Sequence, residues 1–210
     1  MKFYFDYISP YAYIAWRALE KHQPEPIPIL FAGVLNTHGQ LGPAEIPAKR
    51  AYVMKDVLRK AHDHNVEIRC PAAHPINPLL ALRITLAAQG GQRLQLVDAF
   101  FTAFWVRRER IDTVDGASEV LRRVDLDPDV WLERAKEGKD SLRKVTEDAI
   151  ANGIFGVPTM IEGDEMFWGV DSLPHLERFL AQGAEPIDAE EIQRWAELKP
   201  AAVRSGGPGT

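Results

Sequence analysis

The chain has 210 residues, 46% of them hydrophobic and 26% charged, enough for one globular unit, or a core domain with a sizeable insertion, to fold without disulfides or metals. A formal net charge of −5 speaks against nucleic acid or an anionic membrane as the main partner. No apolar run reaches the roughly 18 residues of a membrane span, and Met1-Lys2 leads straight into strand-like sequence, so no signal peptide or anchor is expected and the cytoplasm is the expected compartment.

Lys2 to Tyr7 reads as an aromatic-rich strand. Tyr11 to Lys21 carries apolar residues at helical spacing, ended by "QPEPIP", and Ile27 to Phe31 is a second strand. A β-α-β opening favours parallel strands with a right-handed crossover. "GVLNTHGQLGPAEIP" reads as a loop from its Gly, Pro and Asn content. From Lys49 to Ile150 the signal is mainly helical. "NPLLALRITLAAQ" and "LQLVDAFFTAFWVRRER" repeat apolar residues at three and four, with Gly90-Gly91 between them. Within that block "EIRCPAAHP" holds the single cysteine, Cys70, which excludes an internal disulfide; lacking an evident base, it reads as a small, partly buried apolar residue. No Cys/His cluster has zinc-ligand spacing, so no metal site is expected. Val157 to Ile161 and Glu165 to Trp168 flank "EGDE" as a hairpin, and Asp171 or Ser172 caps a helix through Leu180. A last helix over Ala189 to Leu198 leads into "KPAAVRSGGPGT", a flexible tail. With the helical block set aside, the order is β-α-β-β-α. That is the thioredoxin arrangement, although periodicity alone supports only the α/β class.

The chemistry gathers at Ser9-Pro10-Tyr11-Ala12. Serine before a helix is a favoured N-cap, and proline suits the first helical position. The same place is an anion site, where unpaired N–H groups and the positive helix end converge. A redox enzyme of this layout puts the first cysteine of C-x-x-C there; with serine instead, disulfide exchange is excluded at this site. A serine with no evident base is a poor nucleophile, but its hydroxyl can donate to a thiolate brought by a cofactor. Lowering a thiol from its usual pKa of about 8.5 by about two units needs roughly 2.7 kcal/mol. One charge-assisted hydrogen bond plus a helix N-terminus is of that order. Two further elements join it. "GVPTM" places Pro158 at a strand start, where a cis bond would turn backbone groups outward. "FWGVDS" offers Gly169 for close approach, and Asp171 with Ser172 to hold an ammonium and a carboxylate.

Taken together in this order, "FYFDYISPYAYIA", "GQLGPAEIPAKRAY", "HPINPLLALR", "GIFGVPTM" and "MFWGVDSL" resemble the 2-hydroxychromene-2-carboxylate isomerase and kappa-class glutathione transferase family of the DsbA-like thioredoxin superfamily. The resemblance implies an α/β thioredoxin-like domain over 1–45 and 151–198, a large all-helical insertion over 46–150 and a tail over 199–210. It also implies glutathione as cofactor, a small aromatic substrate and a homodimer. Ser9 would contact the glutathione sulfur as the catalytic residue, and the Val157 backbone beside Pro158 would hold the cysteinyl unit. Trp168, Gly169, Val170, Asp171 and Ser172 would hold the γ-glutamyl end. Asn36, His38, Gln40, Lys49 and Asn77 would face the second substrate; the plain alternatives are a solvated charge for Lys49, an N-cap for Asn77 and a loop histidine for His38. Two residues depart from the family pattern: Ala12 replaces a common serine, and Gln40 stands where kappa-class transferases tend to carry asparagine. The implied reaction interconverts 2-hydroxychromene-2-carboxylate and trans-o-hydroxybenzylidenepyruvate. A kappa-type transferase or peroxidase, and a non-catalytic glutathione-binding protein, are the competing readings.

Overall fold

The structure, a computed structural model, describes residues 1–199, and the chain divides into a compact unit over Met1–Leu173 and a second from Pro174 onward. The first unit is built on strands β1 (Lys2–Phe5), β2 (Glu25–Pro28), β3 (Thr159–Glu162) and β4 (Glu165–Trp168), ordered β2-β1-β3-β4 in one sheet. β1 runs parallel to β2, with Phe3 opposite Pro26, and antiparallel to β3, with Phe3 opposite Met160. β3 and β4 form the expected hairpin, closing at Glu162 and Glu165. Gly163 takes φ 58° in its two-residue turn, a left-handed conformation that suits glycine.

The sheet is covered on both faces, which is why Phe3, Tyr4 and Phe5 of β1 form an unbroken buried run instead of an alternating one. On one side Phe3 packs at 5.6 Å from Trp16, and Phe5 and Tyr7 pack at 5.3 and 4.9 Å from Phe101. On the other side Tyr4 joins Ile29, Val34, Ala149, Ile154 and Val157. The helices of the first unit are α1 (Pro10–Ala18), α2 (Phe31–Thr37), α3 (Pro47–Asp63), α4 (Leu79–Ala87), α5 (Gly90–Trp105), α6 (Val114–Arg123), α7 (Pro128–Glu137) and α8 (Lys139–Ala151).

Several boundaries differ from expectation. β1 stops at Phe5 because the chain turns at Asp6, whose carboxylate accepts the Ile8 N–H at 3.2 Å. β2 includes Pro26 and Pro28, tolerated because it lies at the sheet edge. α1 gives way to a 3₁₀ turn over Glu20–His22 before the expected end at Lys21. The segment expected as a loop after β2 begins with α2: its first N–H, at Phe31, donates to Asp6 Oδ2 at 2.9 Å, and Leu30 N–H donates to Thr146 Oγ1 at 3.0 Å. Gly90-Gly91 opens α5 and does not stand apart as a spacer. Sheet strands and helical block alike lie within the Met1–Leu173 unit.

The second unit carries most of α9 (Leu173–Gln182) and α10 (Ala189–Ala196), the latter capped by Asp188, which accepts the Glu190 and Glu191 N–H groups at 2.9 and 3.2 Å. α10 ends two residues short of the expected Leu198. Most of the expected tail lies outside the described residues. Among the described residues no helix is long and apolar enough to cross a membrane, and no group of three His, Cys, Asp or Glu could hold a metal ion.

Candidate active site

Ser9 ends the turn between β1 and α1, and the backbone leading into it is held from four directions. Trp105 Nε1 donates to the Tyr7 carbonyl at 2.9 Å, and His74 Nε2 bonds the Ile8 carbonyl at 2.8 Å. The Asp6 carboxylate accepts from Ile8 N–H, and the Asp6 carbonyl accepts from Ser9 N–H at 3.1 Å. A carbonyl can only accept, so Nε2 carries the histidine hydrogen. Nδ1 is buried and has no partner among the described residues. Burial lowers the His74 pKa, with Arg50 adding to the effect and the Ile8 bond opposing it. Burial also pushes the Asp6 carboxyl up to about 7, against the backbone N–H groups of Phe31, Ile8 and Tyr7 that favour its charged form.

Ser9 itself is 6% exposed and caps α1: its Oγ accepts the Ala12 N–H at 3.1 Å, with Pro10 at the first helical position. Accepting leaves the hydroxyl hydrogen available, and among the described residues it has no acceptor. Tyr11, two residues on, donates its hydroxyl to Asp56 Oδ2 of α3 at 2.7 Å. Burial and that bond raise the Tyr11 pKa, so it remains a neutral donor.

Just before β3 the Val157-Pro158 bond is cis, as is His74-Pro75. Among the described residues neither the N–H nor the C=O of Val157 has a backbone partner. Gly156 lies beneath the Trp168 indole, where a Cβ would come within 2.5 Å of Nε1. Gly169 (φ 79°) donates its N–H to the Pro158 carbonyl at 2.9 Å and starts a 3₁₀ turn over Val170–Ser172. Ser172 Oγ donates to the Gly169 carbonyl at 2.8 Å, and the Asp171 carboxylate accepts from Lys60 of α3.

These elements border a cleft of about 1470 Å³ with a largely apolar lining that includes Leu35, Tyr52, Val57 and Trp105. Ser9, Val157, Pro158, Trp168, Gly169, Val170, Asp171, Gln40 and Lys49 all lie on its wall. Ser172 is absent from the wall, as are Asn36, His38 and Asn77. Asn36 is exposed in α2 and His38 is the residue that ends it, while Asn77 Oδ1 accepts the Leu79 N–H at 3.1 Å from one residue before Pro78, the N-cap position of α4. Cys70 corrects an expectation: it is exposed on the cleft rim, where Arg69 N–H bonds the Trp105 carbonyl and draws the segment along the edge. Motif reading did not single out Asp6, Asp56, Lys60 or Trp105. Only Asp6, inside "FYFDYISP", sat close enough to Ser9 in sequence to invite attention.

A family model described as a DSBA-like thioredoxin domain matches residues 1–181. The chain is 32% identical over 206 residues to glutathione S-transferase kappa 2 of Caenorhabditis elegans, covering 87% of this chain and 92% of that one. It is 31% identical over 196 residues to 2-hydroxychromene-2-carboxylate isomerase of Sphingobium xenophagum, covering 85% and 96% respectively. A solved structure of a 2-hydroxychromene-2-carboxylate isomerase superposes with a TM-score of 0.80 at 25% identity, covering 95% of this chain and 98% of its own.

Proposed function

This chain belongs to the DSBA-like thioredoxin family, and from that premise we propose that it is a glutathione-dependent isomerase of 2-hydroxychromene-2-carboxylate or a related aromatic-catabolic acid, acting as a homodimer. The observation that carries the reading is Ser9. A buried hydroxyl whose hydrogen has no acceptor among the described residues stands at the N-terminus of α1, where a disulfide enzyme would keep its sulfur.

The wall fits glutathione at three points. Ser9 offers a donor to the sulfur, the Val157 backbone offers a donor and an acceptor that have no partner among the described residues to the cysteinyl unit, and Asp171 offers a carboxylate to the γ-glutamyl ammonium. When bound, glutathione supplies a thiolate that adds reversibly to a conjugated carbon, making a double bond rotatable until elimination restores it and releases the thiolate. The chain's part is to hold and ionise that sulfur. A hydrogen bond from Ser9 to a charged acceptor contributes about 1.5–3 kcal/mol and the helix end about 0.3–1 kcal/mol, together enough for a two-unit drop in thiol pKa. Lys49 supplies a cation to the substrate carboxylate, and the apolar wall receives the ring and excludes water.

The test is a spectrophotometric isomerase assay with and without glutathione. Turnover only with glutathione, lost in Ser9→Ala, supports the reading; turnover indifferent to glutathione refutes it. The similarity to a kappa transferase favours a second reading, in which the same thiolate attacks an electrophile and leaves with it. Turnover of 1-chloro-2,4-dinitrobenzene or cumene hydroperoxide in place of isomerisation would select it. Binding of glutathione with no turnover of any electrophile would leave a non-catalytic binder.

A further inference from the structure

We propose that Lys60 and Asp171 together form a clamp for an α-amino acid zwitterion, Asp171 taking the ammonium and Lys60 the α-carboxylate of the γ-glutamyl unit. The proposal rests on the glutathione reading above and adds a residue, Lys60, and a selectivity to it. Lys60 lies in the last turn of α3 and Asp171 in the turn after Gly169, and both face the cleft. They form a hydrogen-bonded ion pair through Asp171 Oδ1. The two sides of the pair are unequal. The Asp171 side chain is 83% exposed and keeps an oxygen free to accept, whereas the Lys60 side chain is only 20% exposed. Lys60 is therefore held by its stem, while its ammonium, a three-donor group, gives one hydrogen bond among the described residues, to Asp171. Burial alone would lower the Lys60 pKa, but Asp171, Asp56 and Tyr52 outweigh it, so the cation persists across the neutral range.

An anion with a free acceptor touching a cation with free donors is the complement of an amino acid, which carries an ammonium and a carboxylate on one carbon. Docked against the pair, the four charges alternate in sign, so each has only opposite neighbours. With Asp171 on the solvent side the pair is screened by water and adds little to stability, so its opening to admit a ligand is inexpensive. α3 also brings Asp56 one turn before Lys60 on the same helical face, bonded to Tyr11 beside Ser9. The clamp is thereby tied to the residue that receives the sulfur of the adjoining cysteinyl unit of the same peptide.

Isothermal titration tests this with three probes: glutathione, 4-aminobutyryl-Cys-Gly, which lacks the α-carboxylate, and glutaryl-Cys-Gly, which lacks the ammonium. Wild-type protein should bind either truncated peptide about tenfold more weakly than glutathione. Lys60→Met should weaken glutathione by about the same factor yet leave 4-aminobutyryl-Cys-Gly unchanged. Asp171→Asn should do the reverse, penalising glutathione and sparing glutaryl-Cys-Gly. If glutathione binds the wild type but Lys60→Met leaves its affinity unchanged or improves it, Lys60 is no part of the clamp and the glutathione reading survives. Wild-type affinity indifferent to loss of the α-carboxylate overturns the clamp without any variant. No binding of glutathione to the wild type defeats both readings together.

Discussion

Replacing Ser9 with alanine separates two roles that share one oxygen. Ser9 Oγ accepts the Ala12 N–H at 3.1 Å, and its hydrogen has no acceptor within the described chain. Loss of the cap should cost about 1 kcal/mol of stability. Loss of the donor acts only on a bound thiolate, where about 1.5–3 kcal/mol corresponds to a thiol pKa about one to two units higher. If bound glutathione ionises near 6.5 in the wild type, its thiolate fraction at pH 7 would fall from roughly three-quarters to a few per cent at 8.5. The turn itself should survive, because Tyr7, Ile8 and Ser9 are held through backbone atoms by Trp105, His74 and Asp6. Ultraviolet thiolate absorbance against pH, read beside a thermal melt, measures both quantities. Ser9→Thr, which keeps the hydroxyl, should retain the low-pH titration. An unchanged titration in folded Ser9→Ala protein would reduce Ser9 to a cap and remove the catalytic assignment.

The pure protein should reduce no insulin and form no disulfides, since the Ser9 tetrad has no sulfur and Cys70 has no partner thiol; activity that persists in Cys70→Ala would contradict the site's chemistry. Trp105→Phe removes the indole N–H from the Tyr7 carbonyl in a buried setting, so urea unfolding should show a loss of about 1–3 kcal/mol, from the unpaired carbonyl and lost packing. Stability within error of the wild type would mean that bond does not hold the turn. Asp6 has a folded pKa near 7 against 3.8 for the free group. The native chain therefore holds the proton more tightly than the unfolded chain. Its contribution, up to about 4 kcal/mol, is complete below about pH 4 and is lost as pH rises through 7. Asp6→Asn should flatten that decline in urea titrations at pH 4, 5.5 and 7, and an unaltered decline would place the titrating group elsewhere.

The parts of this molecule that were legible in sequence are those whose cause is local. Ser9-Pro10 announced a helix start because capping acts over three residues, and Glu162 to Glu165 announced a hairpin because the turn glycine acts over two. α2 was not legible. Its residues, with Gly33 and Asn36, have poor helix propensity, and its start is held by Asp6 and Thr146, 25 residues behind Phe31 and 116 ahead of Leu30. Lys60 was invisible for a similar reason: a lysine in a polar helix reads as a solvated charge until the fold brings Asp171, 111 residues away, against it. Cys70 failed in the other direction, since a thiol's usual burial is a statistical tendency that a rim segment bonded to Trp105 overrides.

The serine at position 9 makes sense of the rest of the wall on the proposed reading. A cysteine at the start of α1 would bring its own sulfur to the helix N-terminus, and the fold would have only to lower its pKa. A serine brings only a hydrogen-bond donor, and a donor is useful only if a foreign sulfur arrives within about 3.5 Å and on line. Placement must then come from elsewhere: from unpaired backbone at Val157, from charge at the turn after Gly169, and from an open cleft of about 1470 Å³ that can admit a peptide and a second molecule together. The same requirement accounts for the bracing behind Ser9. A hydroxyl that must meet a mobile partner gains from being immobile itself, and Trp105, His74 and Asp6 each give up a buried polar group to fix the three residues that carry it.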